Sequence, residues 1–205
     1  INDAFSCSHR KQASIHNIAK FVKKSYAGPL LKKEIEAINL VVQNKKEPVT
    51  CIIGGSKIST KINVISNLIK KVNNLIIVGA MANNFFVYKN FKVGKSLIEE
   101  NTKEIIKRIY EKADDNKCKV LIPEDCMVGT SFTGSGENKD LYTIREDEII
   151  LDIGLKTIKS IKHIIEQSNT VLWNGPAGYF ENESFMAGTM SIAENISKNT
   201  MQKSL

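Results

Sequence analysis

The sequence predicts an α/β protein with a doubly wound, mainly parallel sheet that carries helices on both faces. Short apolar runs alternate along the chain with longer segments of helical periodicity, an order typical of this class. The runs are unbroken, as expected for strands buried on both faces. With 42% apolar and 25% charged residues among 205, the chain can form a sizeable core, which excludes disordered and fibrous classes.

Four apolar runs are predicted as buried strands. They cover residues 50–53, 75–78, 120–122 and 170–173. Glycines or a proline follow every run within two residues, so each predicted strand ends in a turn.

Helical stripes lie between these strands. The first runs from Ile58 to Val72 and is predicted to begin at Lys57 with Ser56 as its cap. The second follows Asn101 and Glu104, a variant of the capping box. The third has its apolar positions within residues 158–165, and the segment 129–139 is predicted as a surface loop.

A further helix is predicted over residues 30–43, directly after Gly28 and Pro29. Residues 1–27 show no alternation of strands and helices and are interpreted as the end of a preceding domain. Residues 28–45 would then connect the domains, and residues 46–205 would form a second, incomplete domain. The chain starts with Ile1 and shows no leader segment, so we expect a soluble piece of a longer protein.

The net charge of +7 comes from 29 basic and 22 acidic residues, and 26 of the basic residues are lysines. A solvated surface explains this composition best, and attraction of a small anionic ligand is the second interpretation. Nucleic acid is disfavoured because arginines and stacking aromatics are scarce. No apolar run is long enough to span a membrane. The four cysteines form no C-x-x-C pair and predict reduced thiols rather than a metal site.

Ligands of open parallel sheets bind beyond the carboxyl ends of the strands. Gly54 and Gly55 follow the first strand, and Lys57 and Lys61 come next, four residues apart and therefore on one face of the predicted helix. Two cations at a helix N-terminus oppose the helix dipole, so the pattern favours a bound phosphate. Two ordinary surface lysines remain the alternative.

Three other segments contain residue types that occur in ligand sites. The turn Trp173-Asn174-Gly175-Pro176 could contact a base, with Glu181 at a distance suited to a ribose, although a structural turn fits equally well. The neighbours His9 and Arg10 could hold a carboxylate or phosphate, or form a plain surface pair. Gly94-Lys95-Ser96 is no Walker A loop, because Lys89 occupies the position of the earlier glycine.

The pieces together resemble phosphoglycerate kinase over essentially the whole chain. The resemblance rests on Asn2-Asp3-Ala4-Phe5 with His9-Arg10 and Ala13-Ser14, Gly54-Gly55-Ser56-Lys57 with Lys61, Gly94-Lys95-Ser96-Leu97, Leu151-Asp152-Ile153-Gly154 with Lys156-Thr157, and Trp173-Asn174-Gly175-Pro176 with Gly178, Phe180, Glu181 and Gly188-Thr189. It implies a Rossmann-like nucleotide-binding domain, here truncated. It also implies phosphoryl transfer between 1,3-bisphosphoglycerate and ADP, giving 3-phosphoglycerate and ATP with Mg²⁺.

The resemblance also implies roles for individual residues. Lys61 would hold the nucleotide phosphates and the transferred group, and Lys57 would stabilise the developing charge. The adenosine pocket and its surroundings would comprise Gly54, Gly55, Ser56, Gly79, Asn174, Pro176 and Tyr179, with Glu181 on the ribose. Arg10, with His9 beside it, would bind the triose. No metal-ligating residue is implied within this sequence.

Several positions depart from the family pattern. Gln12, Lys11 and Leu155 replace residues usual in the family, and Val78 and Ala80 interrupt a glycine run near the base. Tyr179 stands at the adenine wall, where a smaller apolar residue is usual. The basic triose-binding patch and a Gly-Gly-Gly-Asp loop are expected outside this sequence.

These absent pieces lead us to expect a chain that binds nucleotide weakly and turns over little or nothing. The alternative is a nucleotide-binding remnant without catalysis in its parent protein. The family resemblance implies a monomer, and the reduced thiols predict a cytoplasmic protein. From composition we expect neither nucleic-acid nor membrane partners.

Overall fold

The computed structural model describes residues 1–42, 46–199 and 203–204. These residues fall into two compact units that divide between Val42 and Lys46. The predicted assignment of residues 28–45 to a connector between domains stays a prediction.

The first unit contains three short helical turns and one longer helix. The turns are Phe5–Cys7, Ala13–Asn17 and Ile18–Lys20, and the helix is α1, Pro29–Val42. The predicted helix is confirmed as far as Val42, and Gln43 lies outside the described residues. Asp3 caps α1, because its Oδ1 accepts hydrogen bonds from the Leu30 amide at 2.6 Å and the Leu31 amide at 3.0 Å.

The second unit contains strands and helices in alternation. Its strands are β1 Val49–Ile53, β2 Asn74–Ile77, β3 Lys119–Leu121, β4 Asp125–Gly129, β5 Glu137–Asp140, β6 Ile149–Ile153, β7 Thr170–Asn174 and β8 Lys203–Ser204. Its helices are α2 Ile62–Leu68, α3 Ala82–Tyr88, α4 Lys103–Asp115, α5 Leu155–Gln167 and α6 Ala187–Lys198.

All four predicted strands belong to one parallel sheet with the order β3-β2-β1-β7-β8. Ile53 at the end of β1 is paired with Ile77 on one side and with Asn174 on the other. The loops that follow β1, β2 and β7 therefore leave the sheet side by side at its carboxyl edge.

Both faces of this sheet are covered, as the unbroken apolar runs predict. Along β1, Cys51 and Ile53 belong to the core cluster that includes residues of α2, α3 and α4. Ile52, between them, belongs to a second cluster with residues of α5 and α6. Because neighbouring side chains of a strand point to opposite faces, the doubly wound α/β architecture is confirmed.

A second, antiparallel sheet has the order β5-β4-β6 and was not predicted. Part of the predicted surface loop forms its edge strand β5, whose sequence Glu-Asn-Lys-Asp has no apolar signal. The predicted loop is therefore correct only for the residues between β4 and β5.

Two predicted helix starts are wrong. Helix α2 begins at Ile62 and not at Lys57, because Ile58 is fully buried in the core and residues 58–61 form a turn. The Lys61 amide closes that turn on the Ile58 carbonyl at 3.0 Å. The capping box at Asn101 does not form either: α4 begins at Lys103, and Asn101 has a positive φ of 58°.

Candidate functional site

The loops after β1, β2 and β7 are joined by backbone hydrogen bonds. The Gly54 amide donates to the Asn174 carbonyl at 2.8 Å, and the Gly79 amide donates to the Ala177 carbonyl at 3.1 Å. We call residues 54–61, 79–81 and 174–178 the strand-end loops. These bonds hold three separate parts of the sequence in one fixed surface at the sheet edge.

Glycines are required here by contact and by conformation. A side-chain carbon on Gly54 would collide with the backbone oxygens of Gly175 and Pro176. Gly79 has a φ of 68°, in the left-handed region that favours glycine. The backbone therefore approaches the cavity described below without intervening side chains.

Lys61 crosses from the loop after β1 to the end of β7. Its Nζ donates to the Gly54 carbonyl at 2.7 Å and to Asn174 Oδ1 at 2.7 Å. Burial lowers the pKa of Lys61, because a charged ammonium is poorly solvated there, while the nearby Cys51 acts in the opposite direction. The structure thus places one cation at the meeting point of two strand ends.

Lys57 lies on the same loop, is exposed, and precedes the turn that leads into α2. The two lysines do not share a helical face, since the helix begins only after Lys61. The turn at residues 58–61 instead separates the two lysines, with Lys57 before it and Lys61 at its end.

Glu99 binds this turn, a contact that was not predicted from the sequence. Its carboxylate accepts hydrogen bonds from the Ile58 amide, the Ser59 amide and the Ser59 hydroxyl. Burial alone would raise the pKa of Glu99. The Ser59 and Ile58 donors and the charge of Lys57 outweigh burial, so the pKa lies below its ordinary value.

A cavity of about 430 Å³ opens beside the strand-end loops. Of the predicted site residues, six line it: Gly55, Ser56, Gly79, Pro176, Tyr179 and Glu181. The remaining walls are mostly apolar and include Ala80, Ala82, Phe86, Leu97, Pro123, Phe132, Ile149, Leu151 and Ala177. Volume and lining suit a flat, largely apolar ring system.

Gly54, Lys57, Lys61 and Asn174 are not in the lining but belong to the loops at the edge of the cavity. This arrangement separates an apolar compartment from a cationic, hydrogen-bonding one. A ligand with an apolar ring at one end and an anionic group at the other would match both.

Two aromatic rings meet at the cavity wall. Phe132 and Tyr179 have ring centroids 5.1 Å apart at an angle of 72°, an edge-to-face contact. The Asn182 side-chain amide donates to the carbonyls of Phe132 at 2.9 Å and Gly134 at 3.1 Å. The loop after β4 is thereby fastened to the chain that follows β7.

Asp152 at the end of β6 also borders the cavity. Burial raises its pKa to about 6, although the Gly188 and Ile153 amides donate hydrogen bonds that act in the opposite direction. Gly178 and Gly188 pack directly against this carboxylate. The Leu-Asp-Ile-Gly motif in the sequence marked this segment, but the burial of Asp152 and its raised pKa were not predicted.

His9 and Arg10 lie in the first unit, just after the turn Phe5–Cys7, and both are exposed. The Arg10 amide donates to the Cys7 carbonyl at 3.0 Å. Their predicted role in binding a triose stays a prediction.

The described residues contain neither a cluster of metal ligands nor a helix that could span a membrane. Within residues 1–42, 46–199 and 203–204, no group of three or more His, Cys, Asp or Glu residues could hold a metal ion. The four cysteines are free, and three of them are buried. None of the helices in the described part of the chain combines the length and apolar character needed to cross a membrane.

Comparison with known proteins gives consistent matches. The family model described as phosphoglycerate kinase matches residues 1–205. The phosphoglycerate kinase of Wolbachia pipientis wMel is 42% identical over 201 residues, which are 98% of this chain and 50% of that protein. That of Bartonella henselae is 41% identical over 197 residues, or 95% of this chain and 49% of that protein.

Solved structures agree with the sequence matches. The phosphoglycerate kinase structure from Coxiella burnetii superimposes with a TM-score of 0.90 at 36% identity, covering 98% of this chain and 52% of that one. The structure from Pyrococcus horikoshii OT3 gives a TM-score of 0.81 at 27% identity, covering 97% and 51%. The chain spans about half the length of the curated relatives it matches.

Proposed function

Because the chain belongs to the phosphoglycerate kinase family, we propose that it supplies the nucleotide-binding part of a glycolytic kinase. In the proposed reaction the bond between phosphorus and the acyl oxygen of 1,3-bisphosphoglycerate breaks. A new bond forms to a β-phosphate oxygen of ADP, giving 3-phosphoglycerate and ATP. The single observation that carries the proposal is the cationic loop of Lys57 and Lys61 at the edge of an apolar cavity.

The lysines would provide charge rather than covalent chemistry. In phosphoryl transfer the protein mainly positions the groups and stabilises the charge on the transferred oxygens. Lys61 is fixed by two acceptors, so its ammonium would meet the nucleotide phosphates without first being ordered. Lys57 is exposed on the same loop and would stabilise charge on the group in transit.

The cavity would hold the adenosine. Gly55 and Gly79 would offer backbone to the base and Pro176 the apolar face of its ring, with Tyr179 on the wall, and Glu181 would accept hydrogen bonds from the ribose hydroxyls. Gly54 and Asn174 would contribute indirectly, through the position of Lys61 and the close approach of the loops. Arg10 and His9 would contact the triose.

Mg²⁺ would enter as part of the Mg·ADP or Mg·ATP substrate. The described residues offer no carboxylate cluster for a resident ion, and magnesium commonly binds through substrate phosphates and water. We assign no chemical step to a metal held by the protein itself.

The proposal is tested by calorimetric titration of the chain with Mg·ADP. Lys61→Ala should weaken binding by about 10- to 100-fold, since a hydrogen bond from a charged group contributes about 1.5–3 kcal/mol. Lys70→Ala is the matched control, because Lys70 is exposed just beyond the far end of α2 and should leave affinity unchanged. A folded wild-type chain that does not bind Mg·ADP would contradict the proposal.

A coupled assay of ATP consumption with 3-phosphoglycerate separates binding from turnover. We expect Mg·ADP binding with little or no turnover by the 205-residue chain. Near-normal turnover would overturn that expectation while leaving the family's reaction in place. A sedimentation measurement at the same concentration tests the proposed monomer.

A further inference from the structure

Glu99 makes an unusual set of contacts for a residue so far from the lysines in sequence. Its Oε2 accepts from the Ile58 amide at 2.5 Å and from the Ser59 amide at 3.2 Å, and its Oε1 accepts from the Ser59 hydroxyl at 2.6 Å. All three donors lie in the short segment between Lys57 and Lys61. The carboxylate therefore fixes the backbone that carries both cations.

Glu99 is itself held by the helix that follows β2. Its amide donates to Asn84 Oδ1 at 2.8 Å, and the Asn84 side-chain amide donates to the Met81 carbonyl at 3.3 Å. The Met81 amide in turn donates to the Gly55 carbonyl at 2.8 Å. Through these hydrogen bonds, both Glu99 and the start of α3 are connected to the loop after β1.

The segment before Glu99 is anchored in the same way. The Asn83 side-chain amide donates to the Leu97 carbonyl at 3.0 Å, and Asn83 is fully buried. Leu97 lines the cavity. Glu99 thus projects from a chain segment that two neighbouring asparagines of α3 hold in place.

The charge of Glu99 argues against a direct role in binding an anion. A carboxylate beside Lys57 reduces the local positive charge and would repel phosphate. Its contribution must come from geometry, since ordering the turn that carries both lysines during binding would cost affinity that a preordered turn saves.

We propose that Glu99 is a positioning residue that fixes Lys57 and Lys61 for the phosphate groups of a nucleoside diphosphate. The inference rests on the proposed nucleotide-binding function and adds a residue to it. Glu99 does not touch the ligand itself. It acts only through the turn at residues 58–61.

The test compares two ligands, Mg·ADP and adenosine, in calorimetric or NMR-detected titrations. Glu99→Ala should weaken Mg·ADP binding about tenfold, because the turn between the two lysines must then be ordered on binding. Adenosine affinity should stay within about twofold, since the cavity is unchanged. Glu99→Gln should restore Mg·ADP affinity to within about threefold of wild type, because its amide oxygen still accepts from the turn.

Controls separate this role from general support of the fold. Glu100→Ala removes an exposed neighbouring carboxylate and should affect neither ligand. Glu99→Asp retains the charge but withdraws the carboxylate from the turn. It should weaken Mg·ADP severalfold and spare adenosine, and it keeps the test valid if Glu99→Ala does not fold.

Four results would overturn the inference. The first is unchanged Mg·ADP binding by Glu99→Ala, and the second, if the alanine variant does not fold, is unchanged binding by Glu99→Asp. The third is an equal loss of affinity for Mg·ADP and adenosine. The fourth is a Glu99→Gln variant that binds Mg·ADP as weakly as Glu99→Ala. Failure of the wild-type chain to bind Mg·ADP would instead contradict the proposed function, and the inference would fall with it. Wild-type binding with no effect of Glu99 contradicts the inference alone.

Discussion

Two regions of the second unit differ in how fully their charged side chains are hydrogen-bonded within the protein. The first comprises the strand-end loops with Lys57 and Lys61. The second is the junction at the start of α5, where the Asp125 carboxylate accepts hydrogen bonds from the Thr157 amide at 2.9 Å, the Thr157 hydroxyl at 2.7 Å, the Lys156 amide at 3.0 Å and the Asn138 side chain at 3.1 Å. We call these residues the α5 cap.

In the α5 cap every strong polar group has found a partner inside the protein. Burial alone would raise the pKa of Asp125, but its four donors outweigh burial and lower it. In the strand-end loops, Lys61 uses two of its three N–H donors within the described residues, and Lys57 is exposed. The difference teaches that a charged group whose hydrogen bonds are all made within the protein stabilises the fold. A charged group at a cavity edge that keeps an unused hydrogen-bond donor is available to a ligand.

The largest effect should follow from breaking the α5 cap. Asp125→Ala leaves buried donors at the start of α5 without acceptors, which should lower the free energy of unfolding by about 3–5 kcal/mol. Asp140→Ala is the control, since its ion pair with Lys156 is exposed and contributes about 0–1 kcal/mol. Urea denaturation measures both, and equal losses would contradict the comparison.

Asp152 sharpens the comparison, because it is as buried as Asp125 but accepts fewer hydrogen bonds. Its pKa of about 6 exceeds the ordinary 3.8, so protonation favours the folded state. This contribution is fully present below about pH 4 and is lost as the pH rises through 6. It amounts to about 3 kcal/mol at 1.36 kcal/mol per pKa unit.

Stability curves of the wild type and Asp152→Asn between pH 4 and 7 test this. The neutral amide cannot titrate, so the difference between the curves should change over this range while contributions from other carboxylates cancel. The Cys126 thiol interacts electrostatically with Asp152. Because burial raises the pKa of this thiol, it stays neutral between pH 4 and 7 and does not contribute to the difference. A flat difference, or one of opposite sign, would show that Asp152 is ionised in the folded protein.

Asn174→Asp alters the strand-end loops by adding charge. The new carboxylate would lie beside the Lys61 ammonium, which is 2.7 Å from Asn174 Oδ1. Its negative charge would offset that of the ammonium and weaken the attraction of Lys61 for the nucleotide phosphates. Mg·ADP affinity should fall about tenfold, with little change in thermal unfolding midpoint. A variant that binds as well as the wild type would mean that Lys61 does not contact the phosphates.

The smallest effect is expected at the aromatic wall. Tyr179→Val removes an edge-to-face contact with Phe132 of about 0.5–1.5 kcal/mol and should weaken Mg·ADP about two- to threefold. Tyr142→Val, which alters an exposed ring paired with Phe91 outside the cavity, is the control. If both variants bind alike, Tyr179 is not part of the base pocket.

The parallel sheet could be predicted because buried strands carry a signal of their own. The predicted runs of β1, β2, β3 and β7 agree with the strands to within one residue at every end, since each contains three or four consecutive apolar side chains. Strand β5 could not be found, because its polar residues depend on pairing with β4. Helix α3 was missed as well, although it supplies the asparagines that hold the Leu97–Glu99 region.

The candidate site could be predicted only in part from the sequence. Spacing and glycines identified the Lys57 and Lys61 loop, but the predicted helix start was wrong because Ile58 is drawn into the core. Glu99 lies 40 residues from Ser59, and no local pattern connects them. Contacts of this kind arise only when the chain folds, so the carboxylate carries no signal in the sequence.

The most direct measurement is an NMR titration of the isotope-labelled chain with Mg·ADP, following backbone amide shifts. The account predicts saturable changes at Gly54, Gly55, Ser59, Gly79 and Gly175, with none at Thr157 in the α5 cap. Changes confined to other surfaces, or no change in a folded chain, would contradict the claim that the strand-end loops form a nucleotide-phosphate site.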